Sequence, residues 1–239
     1  MSQKIALIIG GSGYIGSEVV AALSAADRQV IFTYHNNKTQ ADKLQQQYAC
    51  SAYQLDISNP PAIRDLFAAL QRDRLLPQTV VNCAAVSQQK TFLDIDDQDW
   101  ESILRSNCQS VFTLCQALYR ITTDYPGSVD NIILLSAINQ IQSFDLPLHF
   151  AVSQAAINQF VSSSSKLFGA NGCRINSVIP GMLEQGLSSG FSQQLRQDFV
   201  KFSALGRLGT ASEVARCIYW LATENSYING QCIPVNGGI

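Results

Sequence analysis

A run of glycines near the start of the chain is the feature of the sequence most suited to binding chemistry. Residues 10–16 read Gly-Gly-Ser-Gly-Tyr-Ile-Gly, and they follow the apolar stretch Ile5–Ile9. The glycines match both a G-x-G-x-x-G and a G-x-x-G-x-x-G spacing, between a predicted strand and a predicted helix. Such a turn lets the backbone approach a pyrophosphate, which the free N–H groups and dipole of a helix N-terminus stabilise. The sequence therefore predicts a dinucleotide site, and a plain glycine turn is the alternative.

The residues after the second predicted strand bear on which dinucleotide would bind. An acidic side chain there would accept the 2′-hydroxyl of the NAD ribose, but no acid occurs from residue 29 to residue 41. The chain carries four other polar or basic residues at this point, His35, Asn36, Asn37 and Lys38. Because these side chains could receive a 2′-phosphate, the sequence favours NADP over NAD. The alternative is a solvated loop with no role in binding.

Few other side chains have the chemistry for acid–base, nucleophilic or metal catalysis. The chain has two histidines and seven cysteines, with no C-x-x-C pair, so the sequence predicts free thiols, a reducing compartment and no metal site. Three side chains remain as candidates for reactivity, namely His149, Glu184 and Cys83. Each also has a structural interpretation: His149 as a polar residue at a helix start, Glu184 as a structural carboxylate and Cys83 as a small core residue.

The charge balance and the apolar runs exclude several classes of partner. Sixteen basic and eighteen acidic residues give a formal net charge of −2, which argues against nucleic acid or an anionic membrane as the main partner. No apolar run approaches the roughly 18 residues of a membrane span, and Ile5–Ile9 is too short for the apolar region of a signal peptide. We therefore expect a cytoplasmic protein with no membrane or nucleic-acid partner.

Short apolar runs alternate with helical patterns along the chain, and this alternation predicts the elements that position the candidate residues. The predicted strands are Ile5–Ile9, Val30–Tyr34, Ala52–Leu55, Thr79–Asn82, Asn131–Leu135, Arg174–Ile179 and Cys232–Val235. The predicted helices are Ile15–Ala26, Thr39–Tyr48, Pro60–Leu70, Trp100–Tyr119, Phe150–Phe168 and Ser212–Ala222. This order predicts an α/β fold, a doubly wound, Rossmann-like parallel sheet of seven strands with helices on both faces. We expect a single domain over residues 1–239, with a mobile helical lid at about residues 182–203.

Several further segments share the pattern of one known family. They are Leu55-Asp56-Ile57, Val81-Asn82-Cys83-Ala84-Ala85, the helix from Trp100 to Asn107, Ile179-Pro180-Gly181, and residues 205–209, 227–231 and 235–238. With the glycine loop, they resemble the short-chain dehydrogenase/reductase family, most closely its bacterial 3-oxoacyl-acyl-carrier-protein reductases, over essentially the whole chain. The resemblance implies NADP as the cofactor. The contacts that it implies are Gly10, Ser12, Gly13, Ile15, Gly16, Asn36, Lys38, Asp56, Ile57, Asn82, Ala84, Pro180 and Gly181.

The resemblance also implies four catalytic positions, and this chain retains one of them. In the family, a Tyr donates a proton to the substrate carbonyl, and a Lys four residues later lowers the pKa of that Tyr and holds the ribose. A Ser binds the carbonyl oxygen and an Asn holds a water. The aligned residues here are Ala137 for the Ser, Phe150 for the Tyr, Gln154 for the Lys and Asn107 for the Asn. The resemblance therefore implies a site that has lost its proton donor.

No shift of the alignment restores the missing groups. No tyrosine lies between Tyr125 and Tyr219, and Lys166 follows Phe150 by sixteen residues, roughly 24 Å along a helix. The glycine loop departs from the family as well, since Tyr14 stands where a glycine is usual. The threonine that often meets the nicotinamide amide is Gln185 here. These departures leave two expectations open, retained dinucleotide binding and weakened or lost binding.

Three functions follow from these observations. The first is a redox-inactive homologue that acts as a binding or structural subunit, in a homo-oligomer or in a hetero-oligomer with an active paralogue. The second is an NADPH-dependent reductase of a β-ketoacyl thioester or related carbonyl, with an acyl-carrier-protein-linked substrate and with water or His149 as the proton source. The third is a non-redox enzyme, an isomerase, cyclase or dehydratase, for which His149 and Glu184 are the available acid and base.

Overall fold

The structure is a computed structural model that describes residues 3–26, 28–137 and 146–239. Within these residues, seven parallel strands form one sheet in the order β3-β2-β1-β4-β5-β6-β7. The strands are β1 (Ile5–Ile9), β2 (Gln29–Tyr34), β3 (Ser51–Gln54), β4 (Thr79–Asn82), β5 (Asn131–Leu135), β6 (Arg174–Pro180) and β7 (Cys232–Val235). The prediction of a doubly wound α/β fold with a seven-stranded parallel sheet is confirmed.

Helices connect the strands and cover the sheet. They are α1 (Tyr14–Ser24), α2 (Lys38–Tyr48), α3 (Pro60–Arg72), α4 (Asp97–Leu104), α5 (Ser110–Asp124), α6 (Leu148–Gly169), α7 (Gln193–Phe202) and α8 (Ala211–Thr223). Two 3₁₀ turns lie at Phe92–Asp94 and Gly186–Gly190. No helix in the described part of the chain is both long enough and apolar enough to cross a membrane.

The central strands β1, β4 and β5 are buried throughout, because helices pack on each side of the sheet. Along β1, Leu7 and Ile9 pack with α3, α5 and α6, whereas Ala6 and Ile8 pack with α1, α2 and α8. Side chains of a strand alternate between faces, so a strand that is apolar throughout predicts a sheet covered on both sides. The apolar clusters on the two faces fix the positions of the strand ends, and those ends carry the residues of the candidate site.

The bounds of several elements differ from the predicted ones. The strand β3 lies one residue earlier than predicted, and α1 ends at Ser24 rather than Ala26. The helix predicted over Trp100–Tyr119 extends from Asp97 to Asp124 and contains a π-helical turn at Arg105–Gln109. It begins early because Asp96 and Asp99 form a capping box, in which each side chain accepts a hydrogen bond from the other residue's N–H.

Candidate functional site

One cleft of about 520 Å³ opens at the carboxyl ends of the strands. It lies where the strand order reverses between β1 and β4, the usual position of a ligand site in an open parallel sheet. Residues after β1, β2 and β3 line one side of the cleft, which we call the glycine-loop half. Residues after β5, at the start of α6, after β6 and in α7 line the other side, which we call the Phe150 half. Residues after β4 lie between the two.

Tight packing explains two of the glycines in the loop. Gly10 has a φ of +75°, a conformation that side-chain-bearing residues rarely adopt. A Cβ on Gly16 would lie 2.2 Å from the carbonyl oxygen of Gly10, so only glycine lets α1 approach the end of β1 this closely. Gly16 is buried and does not line the cleft. These two positions are therefore required by the fold itself, whatever the loop binds.

Gly13 differs, because it leaves the start of α1 open to the cleft. It is the N-cap residue of α1, and α1 has no side-chain cap. A Cβ at Gly13 would lie 3.2 Å from the carbonyl oxygen of Gly10. Tyr14 and Ile15 follow in the first turn, where backbone N–H groups have no partner within the helix, and both residues line the cleft. These residues fit the phosphates of a dinucleotide, which need an open helix N-terminus.

The segment after β2 is divided between the cleft and the surface. His35, Asn36 and Asn37 line the cleft, and Asn37 Oδ1 also accepts a hydrogen bond from Gln40 N at 3.1 Å, which caps α2. Lys38 does not line the cleft. Its Nζ forms an exposed ion pair with Asp42 Oδ1 at 2.8 Å, one helical turn later. Two of the residues proposed for a 2′-phosphate thus have protein partners of their own.

The residues predicted near the adenine lie at the same edge of the cleft. Ile57 lines it, whereas the Asp56 carboxylate accepts hydrogen bonds from Ser58 N and Ser58 Oγ. Burial opposes ionisation of Asp56, but these hydrogen bonds and the nearby His35 outweigh it and lower the Asp56 pKa. After β4, Ala84 lines the cleft.

The Phe150 half contains the three positions that the family resemblance assigns to a catalytic Ser, Tyr and Lys. Ala137 follows β5, and Phe150 and Gln154 lie one turn apart on α6, and all three line the cleft. Phe150 is 4% exposed and Gln154 is 1% exposed. The structure therefore brings these positions together, as the alignment predicts. Among the described lining residues of the whole cleft, none is Asp, Glu, Lys or Arg.

Most polar atoms of the Phe150 half already have protein partners. Ser136 Oγ donates to Asn158 Oδ1 at 2.6 Å, and Ser188 Oγ accepts from Leu183 N at 3.1 Å. Gln154 Nε2 donates to Ser153 Oγ at 3.3 Å. The side chains that face a ligand here are therefore mainly apolar.

Asn107, which the family resemblance assigns to the catalytic Asn, lies outside the cleft lining. It sits in the π-helical turn between α4 and α5 and is 1% exposed. Its Oδ1 accepts from Val86 N, and its Nδ2 donates to Val86 O and to Ser153 Oγ, each at 2.9 Å. Asn107 thus joins the segment after β4 to α6. The amide oxygen and both hydrogens of the amide nitrogen are thus engaged in hydrogen bonds within the protein.

His149 also lies outside the cleft lining, although it adjoins Phe150 in sequence. It is fully buried, and its Nε2 lies 3.2 Å from Gln88 Oε1, whereas its Nδ1 has no hydrogen-bond partner. Burial lowers the His149 pKa, with an opposing influence from Asp99 and a supporting one from Lys90. Successive helical residues point about 100° apart, which explains why His149 faces the segment after β4 instead of the cleft.

The segment predicted as a lid covers one side of the cleft. Its helical part is α7, and residues 182–188, except Glu184, line the cleft together with Phe191 and Phe199. Arg196 of α7 holds this segment from outside, donating to Glu184 O at 3.0 Å and to Ser188 O at 2.8 Å. At Gly186, which has a φ of +75°, a Cβ would lie 3.1 Å from Tyr14 Cβ. The segment therefore approaches the glycine loop closely.

The remaining candidates for reactivity have structural surroundings. Cys83 lines the cleft, and burial raises the pKa of its thiol to about 12, which leaves it protonated at neutral pH. The carbonyl oxygen of Glu184 accepts from Arg196, and its side chain is exposed. All seven cysteines are free thiols.

Sequence reasoning missed several residues that shape the site. Tyr14 departs from the family's glycine pattern, and no spacing in the sequence predicts that it lies against Gly186. No sequence pattern marks Asn158 either, although its Oδ1 accepts from both Ser136 Oγ and Ser177 Oγ. The pairing of Lys38 with Asp42 follows because α2 begins at Lys38, one residue before the predicted start at Thr39, which places the two charges one turn apart.

Comparison with known proteins gives a family and a set of relatives. A family profile described as Enoyl-(Acyl carrier protein) reductase matches residues 12–239. The 3-oxoacyl-[acyl-carrier-protein] reductase FabG of Chlamydia muridarum is 26% identical over 254 residues, which cover 99% of this chain and 97% of the relative. The match therefore extends from the glycine loop to the C-terminal segments.

Two solved structures share the fold over nearly their whole length. A short-chain dehydrogenase from Leptospira borgpetersenii, solved with bound NAD⁺, has a TM-score of 0.84 and 24% identity, and the match covers 100% of this chain and 93% of that one. The protein BdcA, solved in complex with NADPH, has a TM-score of 0.88 and 22% identity, with 100% and 95% covered. At these identities the likeness establishes the fold.

Proposed function

Because this chain belongs to the short-chain dehydrogenase/reductase family of oxidoreductases, we propose that it binds a nicotinamide dinucleotide but reduces no carbonyl. Its role is that of a binding or structural subunit. The observation that carries this proposal is the composition of the Phe150 half, where Ala137, Phe150 and Gln154 occupy the positions of the family's Ser, Tyr and Lys.

The substitutions remove each function that the reduction of a carbonyl requires. A phenyl ring has no proton to give, a methyl group donates no hydrogen bond to a developing oxyanion, and a neutral amide lowers no phenol pKa. A positioned acid is worth about 10²–10⁴ in rate, and an oxyanion donor about 10²–10³. His149 does not line the cleft, and the thiol of Cys83 is held protonated by burial. Tyr14, Tyr34 and His35 line the glycine-loop half, and no described residue lining the Phe150 half is a Tyr, His, Lys, Asp or Glu.

The glycine-loop half supports binding of the dinucleotide. A bound nicotinamide dinucleotide supplies hydride to substrates in this family. In this chain, the first turn of α1 would hold the phosphates, and Asn36 and His35 would lie nearest to the ribose. No acidic residue occurs between residues 29 and 41 to hold a 2′-hydroxyl, which favours NADP. Because Lys38 is paired with Asp42, it contributes less to that preference for NADP.

Restoring the missing side chains tests the proposal. We expect the native protein to oxidise no NADPH with an acetoacetyl thioester above background. The triple variant Ala137→Ser, Phe150→Tyr and Gln154→Lys should turn over at least about 100-fold faster than the native protein. NADPH binding, followed by fluorescence titration, should be present in both proteins. Turnover by the native protein would overturn the proposal, and absence of NADPH binding would remove its cofactor part.

Exposed apolar side chains on the long helices support assembly with other copies or with an active paralogue. Phe112 of α5 is 52% exposed, and Val152 and Leu167 of α6 are 38% and 50% exposed. In the family, these two helices and the C-terminal strand make the main subunit contacts, as the resemblance implies. Co-expression with an active family member from the same cell should give a mixed oligomer. A strictly homomeric protein would argue for the homo-oligomer instead.

A further inference from the structure

Hydrogen bonds near both ends hold the segment that follows β6 across one side of the cleft, and we call residues 182–190 the strap. Near the start of the strap, Glu184 N donates to Gly209 O at 3.0 Å. Near its end, Arg196 Nη1 donates to Ser188 O at 2.8 Å. The middle of the strap is therefore held in one position between these two attachments.

The middle of the strap lies against the first turn of α1. A Cβ built on Gly186 would lie 3.1 Å from Tyr14 Cβ and 3.2 Å from Tyr14 Cδ1, so the Gly186 backbone already contacts the tyrosine side chain. Tyr14 is half-buried and packs against the apolar cluster that contains Leu183. The strap thus closes on a side chain that is itself held by the core.

Closure of the strap on Tyr14 does not fill the cleft. With the two in contact, the cleft still has a volume of about 520 Å³, and Tyr14, Ile15 and Gly186 all line it. The backbone N–H groups of the first turn of α1 are those that would hold the phosphates of a dinucleotide. The strap therefore spans the place where those phosphates would enter.

We propose that Tyr14 and the strap form a gate that opens each time a dinucleotide enters or leaves the cleft. The inference rests on the proposed function, because it concerns the dinucleotide site named there, and it adds the residue that controls exchange of the ligand. Tyr14 is a positioning residue in this role, since it acts through the strap.

The ring of Tyr14 supplies surface on which the strap closes. Alanine at this position keeps Cβ and removes the ring, so the strap loses the dispersion contacts that the ring atoms make with Gly186. The same contact closes the strap before and after a dinucleotide enters. Its loss therefore speeds entry and exit alike and changes the Kd little, because opening of a lid limits exchange in both directions.

Amide hydrogen exchange, measured by mass spectrometry on the protein without added dinucleotide, tests the contact itself. In Tyr14→Ala, the amides of residues 183–188 should exchange at least about tenfold faster than in the native protein, because local opening is easier. Tyr14→Phe keeps Cβ and the ring atoms that face Gly186, so it should restore slow exchange. An unchanged exchange rate in Tyr14→Ala would overturn the inference.

Two glycines of the strap provide an independent pair of variants. Gly186→Ala places a methyl group 3.1 Å from Tyr14 Cβ at a φ of +75°, so it should push the strap away and speed exchange. Gly190→Ala is the matched control, because a Cβ there would lie 3.8 Å from Gln89 Cγ, an ordinary contact, and Gly190 does not line the cleft. Equal exchange rates in the two variants would mean that Tyr14 does not hold the strap.

Stopped-flow fluorescence with NADPH tests whether the contact is a gate. Tyr14→Ala should raise the association and dissociation rate constants at least about fivefold, while the Kd stays within about threefold. A tyrosine that only bound the dinucleotide would change dissociation alone and so change the Kd. Faster dissociation with unchanged association, or native values of both rate constants, would therefore overturn the gate.

These outcomes separate the gate from the proposed function. If the native protein reduces an acetoacetyl thioester, the proposed function fails, while the exchange and stopped-flow rates still judge the gate. If the native protein is inactive and binds NADPH, but Tyr14→Ala binds and releases NADPH at native rates, the proposed function stands and the gate is wrong. If neither protein binds NADPH, the cofactor part of the proposed function fails and the gate fails with it.

Discussion

The glycine-loop half and the Phe150 half of the cleft differ in what they offer a ligand. The first presents backbone N–H groups at the start of α1 and the polar residues His35 and Asn36. The second presents phenyl, methyl and alkyl groups, and its family positions hold Ala137 and Phe150. Since the same sheet positions both halves, the fold alone does not determine chemistry. A chain can lose reactive groups from one half and keep the geometry of the other.

The replacements that the family resemblance implies would explain how the fold tolerates this difference. Tyr to Phe removes one oxygen, Ser to Ala removes another, and Lys to Gln shortens a side chain and removes its charge. None of them adds volume to a packed region, and overpacking is the change that cores tolerate poorly. Phe150 is 4% exposed in its position on α6, so the altered half remains well packed.

The largest expected effect comes from placing a charge in the glycine-loop half. Gly13→Asp puts a carboxylate at the N-cap of α1, where phosphates would bind. At about 4 Å and an effective dielectric constant of about 20, repulsion between unit charges is about 4 kcal/mol. We therefore expect NADPH affinity to fall by about 100-fold or more, measured by fluorescence titration.

The same substitution should leave the fold intact, which separates binding from stability. Gly13 has φ −77° and ψ 173°, an extended conformation that Asp adopts readily and that suits an N-cap. The melting temperature should stay the same or rise slightly. Gly13→Ala is the uncharged control, with a smaller loss of NADPH affinity. If Gly13→Asp and the native protein bind NADPH with equal affinity, the dinucleotide does not bind at the start of α1.

The sequence predicted the sheet and the glycine loop well because both depend on local patterns. Strands such as β1 are apolar throughout, and the positive φ of Gly10 depends on a glycine at that one position of the loop. The surroundings of Asn107 could not be predicted, because Ser153 lies 46 residues away in sequence. The close approach of Gly186 to Tyr14 likewise joins two distant segments. Such contacts depend on how distant helices and loops pack together, and the local spacing of residues does not predict that packing.

A second prediction concerns whether Asn107 belongs to the Phe150 half or only supports it. Asn107→Ala removes three hydrogen bonds and leaves the N–H and carbonyl groups of Val86 without their partner. Because each of these buried or partly buried hydrogen bonds contributes about 0.5–1.5 kcal/mol net, we expect the free energy of unfolding to fall by about 1–3 kcal/mol. Urea denaturation followed by circular dichroism measures it.

The control for Asn107 is an amide on the surface of α6. Gln159 is exposed, and its Nε2 donates to the exposed Ser163 Oγ one turn later, so Gln159→Ala should change stability by less than about 0.5 kcal/mol. NADPH affinity in Asn107→Ala should remain within a few-fold of the native value. A large loss of affinity at unchanged stability would instead assign Asn107 to the binding site and narrow the difference between the two halves.

The smallest effect concerns His149, which lies beside Phe150 in sequence but outside the cleft. Burial holds its pKa below the ordinary value of 6.5, so the folded protein disfavours the charged imidazole that the unfolded chain accepts readily. Above pH 6.5 the group is neutral in both states and has no effect on stability. As the pH falls below 6.5, the unfolded state binds the proton more readily, and the folded state loses stability. Urea denaturation at several pH values should show a decline in the free energy of unfolding below pH 6.5 that is shallower in His149→Gln, with NADPH binding at pH 7.5 unchanged in that variant. If the decline in the free energy of unfolding is the same in the variant, other groups cause it. A loss of NADPH binding would show that His149 contributes to the binding site.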